Sequence, residues 1–266
     1  MDDKQKLQSV ILIIAKEIDR ICKENNIKYF MDGGTQLGAI RHGGFIPWDD
    51  DFDIGMKRSE FERFLRACQN SLNSEQFYLE TDEDDGYGFS FAKIHLNKTM
   101  IVEDFSKNAK VHRGIFVDIF PYDNIPNSSI NRNIFLFENH VLKNMIWIKE
   151  NYGDETHRKQ VQYKVLKLLG RAVPLTILKR GREHLIQKYN KIETMYCFTS
   201  DYPQNIFQSR WLDDIVRYPF EDASFLGVRN YDEFLRILFG NYMELPPVEK
   251  RIVHSNHKVD YGPYEP

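Results

Sequence analysis

The segment DGGTQLGAIRHGGFIPWDDDFD, from Asp32 to Asp53, joins a glycine-rich turn to a cluster of carboxylates. Backbone N–H groups at Gly33 and Gly34 can approach a phosphate closely, because glycine has no side chain in the way. Carboxylates two residues apart, such as Asp51 and Asp53, can hold the divalent cation that neutralises the phosphate charge. The segment therefore predicts a phosphate-binding site that contains a metal ion.

The residues around the turn predict a strand followed by a helix. Ile27 to Met31 has the pattern of a short strand, and Thr35 to Arg41 follows the glycines as a helix. A strand, a glycine-rich turn and a helix N-terminus in this order form an arrangement that binds anions. We therefore expect Gly33, Gly34 and Thr35 to contact the phosphate.

The acids alternate with apolar residues from Asp51 to Ile54, which is a strand pattern. On a strand, Asp51 and Asp53 project to one side and Phe52 to the other. Two adjacent carboxylates repel each other unless a cation neutralises them, and oxygen ligands favour a hard ion such as Mg²⁺. The alternative is a solvated acidic loop, which the apolar residues on both sides of the acids disfavour.

Asp118 lies in the middle of the apolar run Gly114 to Pro121, which is typical of a buried strand. An unpaired charge is costly to bury. Asp118 is therefore expected either to form a salt bridge with a core lysine or arginine, or to bind the metal. We favour the second interpretation, in which Asp118 completes a three-carboxylate site with Asp51 and Asp53.

Several basic residues near these acids are candidates for phosphate contacts. Arg41 and His42 precede the acidic cluster, and arginine can bind phosphate through two hydrogen bonds, which favours Arg41. Lys93 lies on the aromatic face of an alternating strand, where it either contacts phosphate or covers apolar surface with its stem. His112 and Arg113, just before the second acidic strand, are candidates of the same kind.

Two helices flank the acidic segment. Apolar residues recur with helical spacing over residues 5–25. Lys57 to Asn70 resumes a helical pattern, with Ser59 as its expected N-cap. Both helices are amphipathic and should bury one face against the core.

Residues 127–190 are rich in lysine, leucine and isoleucine and predict a run of helices. Within them, residues 163–182 are apolar and basic, and Pro174 should divide the stretch into two shorter helices. A basic amphipathic helix can lie on an anionic membrane surface. The alternative is a helical subdomain that packs on the core with its basic face in water.

The composition is that of an ordinary soluble enzyme. The net charge of −3 and the pI near 6.3 show no basic excess, which weighs against a nucleic-acid partner. Cys22, Cys68 and Cys197 have no metal-ligand spacing, so we expect reduced, buried thiols in a cytosolic protein. No signal peptide and no membrane-spanning stretch is visible in the sequence.

Three blocks of the sequence carry a family resemblance. They are GGTQLGAIRHGGFIPWDDDFDIG at residues 33–55, GIFVDIFPYD at 114–123 and YDEFLRILFGNYMELPPVEKR at 231–251. In this order they resemble the LicD family of phosphocholine transferases, which is related to fukutin-type ribitol-phosphate transferases. The blocks are long, so the resemblance is specific.

The resemblance implies an α/β fold, with a nucleotidyltransferase-like mixed-sheet core, a helical insertion and a C-terminal extension. We expect the catalytic core at residues 1–126, the helical subdomain at 127–190, and a C-terminal segment at 191–266 that completes the active site. By the same analogy, four residues of that segment should contact the donor or the acceptor: Tyr231, Asn241, Tyr242 and Arg251.

The resemblance also implies a reaction. Asp51, Asp53 and Asp118 would bind Mg²⁺ or Mn²⁺, and a CDP-linked donor would give a phospho-alcohol group, with phosphocholine favoured, to a sugar hydroxyl. The acceptor would be a surface glycan or its lipid-linked precursor, and Asp53 or Asp118 would act as the base. Such an enzyme belongs in the cytoplasm, at the inner face of the membrane. Two alternatives are a nucleotidyltransferase that acts on a small acceptor and a non-catalytic protein that binds nucleotide or glycan.

Overall fold

The computed structural model describes residues 2–153, 155–251 and 256–265. Its helices are α1 (Asp3–Glu24), α2 (Gly33–His42), α3 (Arg58–Ser71), α4 (Ser129–Lys149), α5 (Glu155–Lys159), α6 (Val161–Gly170), α7 (Leu175–Gln187) and α8 (Tyr231–Phe239). Its strands are β1 (Phe30–Met31), β2 (Asp53–Lys57), β3 (Phe77–Glu80), β4 (Ala92–Leu96), β5 (Met100–Glu103), β6 (Phe116–Ile125), β7 (Tyr196–Thr199), β8 (Ile206–Gln208), β9 (Ile215–Phe220), β10 (Ala223–Val228) and β11 (Asn256–Asp260).

Seven of the described strands form one mixed sheet, with the central order β1-β2-β6-β4-β3. Strands β2 and β6 are parallel, and the other pairs are antiparallel. The long strand β6 pairs with β4 through its first half and with β7 through its second half, and β8 pairs with β7. The sheet and the helices around it confirm the predicted α/β class.

Helix α1 forms because apolar residues recur at helical spacing and bury one face. Leu7, Ile14 and Ile18 are fully or almost fully buried, and the helix joins the core cluster that includes β2, β4 and β6. Its N-terminus carries a capping box, in which the Asp2 side chain accepts a hydrogen bond from the Gln5 backbone and the Gln5 side chain accepts one from Asp2. The predicted span of 5–25 is confirmed to within two residues at its N-terminus and one at its C-terminus.

The capping box gives a first prediction. Asp2→Ala removes the side-chain acceptor for the Gln5 N–H and should lower the free energy of unfolding by about 1 kcal/mol. Asp2→Asn keeps an acceptor of similar rank and should unfold like the unchanged chain. Urea denaturation of the three proteins measures the difference, and equal midpoints for all of them would contradict the capping role.

The segment that carries the acids is anchored by Phe52. This side chain is fully buried and makes edge-to-face contacts with Phe45, Phe220 and Phe225, the last two from the β9–β10 hairpin. Ile54 is also fully buried, whereas Asp51 and Asp53 are partly exposed. Because neighbouring side chains in an extended chain point to opposite sides, the buried aromatic directs both acids away from this core.

Several predicted boundaries were wrong. Strand β1 is only Phe30–Met31, and β2 begins at Asp53, so Asp51 precedes the strand. The N-cap of helix α3 is Lys57, whose side chain makes no capping hydrogen bond. Ser59, the predicted N-cap, lies inside the first turn of the helix. Strand β6 runs from Phe116 to Ile125 and extends past Pro121, because its second half gains β7 as a partner far along the chain.

The C-terminal part contains further short elements around β9 and α8. A 3₁₀ helix (Ser209–Asp213) precedes strand β9 in this part of the chain. Helix α8 ends at Phe239, immediately before Gly240.

Helices α4 to α7 occupy most of residues 127–190. The predicted break at Pro174 is confirmed, since α6 ends at Gly170 and Pro174 is the N-cap of α7. None of the helices described is both long and apolar enough to cross a membrane. The three thiols are free and buried, as expected. The division at 126 and 190 stays a prediction.

Candidate active site

The sheet itself brings two of the three predicted acids together, Asp53 and Asp118. In the parallel β2–β6 pair, Asp53 lies opposite Asp118. In the antiparallel β4–β6 pair, Lys93 lies opposite the same aspartate. Residues directly opposite in neighbouring strands point to the same face, so these three side chains form one row across the sheet.

Asp118 forms a salt bridge with Lys93. The Lys93 Nζ lies 2.6 Å from Asp118 Oδ1, and it also lies 3.4 Å from the centre of the Phe116 ring. The structure thus contains a salt bridge between Asp118 and a buried lysine, which is one of the two arrangements that the sequence predicts for this aspartate. The bond uses one carboxylate oxygen, and a carboxylate has a second one for another ligand.

A second group of acids lies just before β2. Carboxylate oxygens of Asp49, Asp50 and Asp51 all lie within 4.8 Å of one another, a spacing at which three oxygens can bind one ion. Gly34 faces this group, because a Cβ added there would lie 2.8 Å from Asp49 Oδ2. A side chain at position 34 would therefore intrude on the acids.

The charges in this region influence one another. Burial, and then the neighbouring carboxylates of Asp51 and Asp118, raise the pKa of Asp53 well above its usual value. Burial also raises the pKa of Asp118 to about 6, although Lys93 opposes the shift. Because repulsion between carboxylates causes part of these shifts, a bound divalent cation would relieve it.

Helix α2 begins within this cluster. Asp32 is its N-cap: one carboxylate oxygen accepts the Gly33 N–H, and the other accepts the Tyr122 hydroxyl at 2.7 Å. The Thr35 hydroxyl accepts the Asp53 backbone N–H at 2.8 Å and so fixes the start of β2 against the helix.

The prediction that Gly33-Gly34 forms a turn before the helix was therefore wrong. Both glycines lie in the first turn of α2, where Gly33 adopts a left-handed φ of 47°. The Gly33 N–H already has an acceptor in the cap, and Gly34 is the glycine that lines the cleft described next. The Thr35 hydroxyl accepts a hydrogen bond from the Asp53 backbone N–H, and its predicted contact with phosphate stays a prediction.

A cleft of about 630 Å³ opens over the acids. Asp49, Asp51 and Asp53 line it on the strand side, and Arg41 and Trp48 line it from α2 and the following loop. The rest of the lining comes mainly from the end of α8 and the segment after it: Phe239, Asn241, Tyr242, Glu244, Leu245, Pro246 and Pro247. The N-terminal acids and the C-terminal segment thus share one cleft.

Two guanidinium groups flank Trp48 in this region. The Arg41 guanidinium carbon lies 5.9 Å from the Trp48 ring centre, and that of Arg251 lies 4.6 Å from it. Arg41 also donates a hydrogen bond to the Tyr242 carbonyl, and Arg251 donates one to the Pro246 carbonyl at 3.1 Å. Burial, and then the positive charge of Arg251, lower the pKa of Arg41. A cleft with several acids and two nearby arginines suits a ligand that joins a metal ion to phosphates.

Comparison with known proteins identifies the family. Residues 26–167 match the family model described as LicD/FKTN/FKRP, nucleotidyltransferase domain. The chain belongs to this family. The match covers the acids, α2 and Lys93, and it ends before the C-terminal wall of the cleft.

Individual relatives extend the match. The chain is similar to the lipopolysaccharide cholinephosphotransferase LicD of Haemophilus influenzae, with 29% identity over 257 residues, which is 93% of this chain and 94% of the relative. It is also similar to the mouse ribitol 5-phosphate transferase FKRP, with 40% identity over 108 residues, which is 41% of this chain and 19% of that protein. The similarity to the bacterial protein therefore extends over nearly the whole chain.

Some predicted contacts of this LicD family member do not line the cleft. His42 is exposed and accepts a hydrogen bond from Arg41. Arg113 donates hydrogen bonds to Ser106 and Ala109, while Tyr231 packs edge-on against Tyr218. The hydrogen bonds of Arg113 stabilise the loop between β5 and β6. The roles of His42, Arg113 and Tyr231 as substrate contacts stay predictions.

Three residues near the predicted acids carry no clear sequence signal: Asp49, Asp50 and Tyr202. Asp49 and Asp50 precede the alternating pattern, yet Asp49 lines the cleft with Asp51, and the carboxylate oxygens of all three acids lie close together. Tyr202 packs edge-on against Phe120, and burial, followed by the charges of Asp118 and Asp53, raises its pKa. A single tyrosine so far from the acids in sequence carries no local signal, since the chain has 14 of them.

Proposed function

We propose that this chain is a metal-dependent transferase that moves a phospho-alcohol group from a CDP-linked donor to a sugar hydroxyl of a surface glycan or its lipid-linked precursor. The observation that carries the proposal is the cleft in which Asp49, Asp51 and Asp53 lie near Arg41 and Arg251. The full-length relative named as a lipopolysaccharide cholinephosphotransferase supports phosphocholine as the group transferred. The relative named as a ribitol 5-phosphate transferase supports the same general reaction with another alcohol.

The described acids fit a hard divalent cation. The available ligands are carboxylate oxygens, which suit Mg²⁺ or Mn²⁺ when the ion keeps water and phosphate ligands as well. Asp51, Asp53 and Asp118 would hold the ion, as the family resemblance implies, and Asp53 lies opposite Asp118 in the β2–β6 pair. Asp49 and Asp50 are further candidate ligands, because their carboxylate oxygens lie within 4.8 Å of that of Asp51. Such an ion, when bound, neutralises the charge of the donor pyrophosphate.

The remaining residues have separate tasks in this proposal. Arg41 and Arg251 offset the negative charge of the donor. Gly34 leaves room for the Asp49 carboxylate beside the first turn of α2. Lys93 orients Asp118 through its salt bridge, and a direct contact of this lysine with phosphate stays a prediction.

The transfer is a displacement at phosphorus. The acceptor hydroxyl oxygen attacks the phosphorus that bears the alcohol, its proton passes to a carboxylate, and the bond from that phosphorus to CMP breaks. Asp53 and Asp118 are the candidate bases. Both carboxylates lie on the sheet face at the proposed metal site, where a base could take the proton of the acceptor hydroxyl.

The proposal is tested with a panel of donors. The protein is incubated with Mg²⁺ or Mn²⁺, a glycan acceptor and CDP-choline, CDP-ribitol, CDP-glycerol or CDP-ethanolamine, and CMP release and product mass are measured. We expect CMP release that needs the metal, with CDP-choline fastest, and a product heavier by one phosphocholine. A product carrying a nucleotidyl group would support a nucleotidyltransferase instead, and donor binding without turnover would support a non-catalytic role.

A further inference from the structure

The side of the helical layer that faces away from the sheet exposes apolar residues. On α4, Phe135 packs against Phe198 of β7 and Asn139 donates a hydrogen bond to the Ser200 carbonyl, so these residues face the sheet. Ile130, Ile134 and Phe137 lie on the opposite side of the helix, because successive residues turn by about 100°. The Phe137 side chain is 68% exposed.

Helix α6 continues this exposed surface. It rests on α4, where Gly170 lies near Met145 and Lys149 and Gln162 hydrogen-bonds to His140. Only Leu166 and Gly170 of α6 are buried. Val161, Val165 and Leu168 are exposed, with Val161 at 76% and Leu168 at 65%. We call the six apolar side chains of α4 and α6 the outer helical face: Ile130, Ile134, Phe137, Val161, Val165 and Leu168.

The segment that contains α6 and α7 is strongly positive in sequence. Residues 156–192 contain ten lysines and arginines and one acid, Glu183, whereas the rest of the chain has 26 basic and 38 acidic residues. Lys164, Lys167 and Arg171 on and after α6 are exposed, and so is Arg180 of α7. Lys164 and Lys167 of α6 are therefore exposed together with Val161, Val165 and Leu168 of the same helix, in a chain that is otherwise acidic.

We propose that the outer helical face docks on an anionic phospholipid bilayer. Lysines and arginines beside exposed apolar side chains are the combination that binds the surface of such a bilayer, because the charges attract the headgroups and the apolar groups enter the interface. A helix that only packed on the core would expose its basic residues and bury its apolar ones, whereas α6 exposes both. Surface docking also agrees with the finding that no described helix is suited to cross a membrane.

Vesicle sedimentation tests the proposal without donor or acceptor, so the result does not depend on the proposed reaction. We expect the protein to bind vesicles of phosphatidylglycerol and phosphatidylcholine, and to bind pure phosphatidylcholine vesicles much less. Lys164→Glu combined with Lys167→Glu should weaken binding to the anionic vesicles roughly thirtyfold or more. Val165→Ser combined with Leu168→Ser should weaken it as well, at unchanged net charge.

The matched control is Arg66→Glu combined with Lys110→Glu, which makes the same charge change at exposed positions on α3 and in the loop before β6. Binding of this control should stay near that of the unchanged chain. Equal losses in both double charge variants would overturn the proposal, and so would unchanged binding in the α6 variants. A dimer that the serine variant dissociates, with no effect on vesicles, would assign the face to a second copy of the chain. Circular dichroism melting confirms that each variant is folded.

Discussion

Asp53→Ala should abolish phospho-alcohol transfer while leaving the fold intact. Asp53 lies opposite Asp118 on the central strands and lines the cleft beside Asp51, so its loss would remove a ligand from the proposed metal site. We expect CMP release to fall by at least about a thousandfold, which corresponds to several kcal/mol of lost transition-state stabilisation. Stability should not fall, because burial and neighbouring carboxylates already disfavour the charge of Asp53. The backbone N–H of residue 53 keeps its bond to Thr35.

Two further variants sharpen this test. Asp51→Ala should behave like Asp53→Ala, because both carboxylates line the same cleft. Asp213→Ala is the matched control, since its carboxylate pairs with Lys57 at the far end of β2, and it should keep normal CMP release. Rates of CMP release and urea denaturation are measured on the same preparations. Full activity in either cleft variant would refute the proposed metal site.

The position of the acids was largely predictable from the sequence. The alternation of Asp51, Phe52 and Asp53 reflects a local rule, because an extended chain turns successive side chains to opposite sides. The buried Phe52 and the partly exposed acids agree with that rule, although Asp51 precedes the strand. The apolar run around Asp118 likewise predicted a strand in the sheet.

The partners of those acids were harder to predict. Lys93 meets Asp118 only because β4 and β2 lie on either side of β6, and strand order is not encoded in a local pattern. The conformation of a loop brings Asp49 to Asp51 together, again without a periodic signal. The family resemblance supplied Tyr242 and Arg251, which the structure places at or beside the cleft, and also Tyr231, which it places elsewhere.

Asp201→Ala should destabilise the fold by about 3–5 kcal/mol, because it breaks a buried ion pair and leaves one charge without compensation. Asp201 and Arg182 are both almost completely buried, and Arg182 donates a hydrogen bond to Asp201 Oδ1 at 2.9 Å. Ser90 donates to the other carboxylate oxygen through its backbone N–H and its hydroxyl. The ion pair therefore ties α7 to the turn after β7 and to the segment before β4.

The same ion pair predicts a pH dependence. Burial alone would raise the pKa of Asp201, but the charges of Arg182 and Lys143 outweigh it and lower this pKa below the usual 3.8. A carboxyl with a lowered pKa stabilises the fold above its unfolded pKa, and this contribution is lost as the pH falls through the folded value. The deficit of Asp201→Ala should therefore be full at neutral pH and shrink below about pH 4.

Urea denaturation between pH 3 and pH 7 separates this ion pair from an exposed one. Asp214→Ala removes the partner of Arg229 in a pair whose two side chains are both more than half exposed, and it should leave the unfolding midpoint nearly unchanged. A similar midpoint shift for the two variants would show that burial does not set the strength of the Arg182–Asp201 pair. Tyr202 follows Asp201 directly and interacts with the charges of Asp118 and Asp53. Loss of the Asp201 carboxylate should loosen the turn that carries Tyr202. We therefore expect Asp201→Ala to release CMP more slowly than the unchanged chain at temperatures where the variant is still folded.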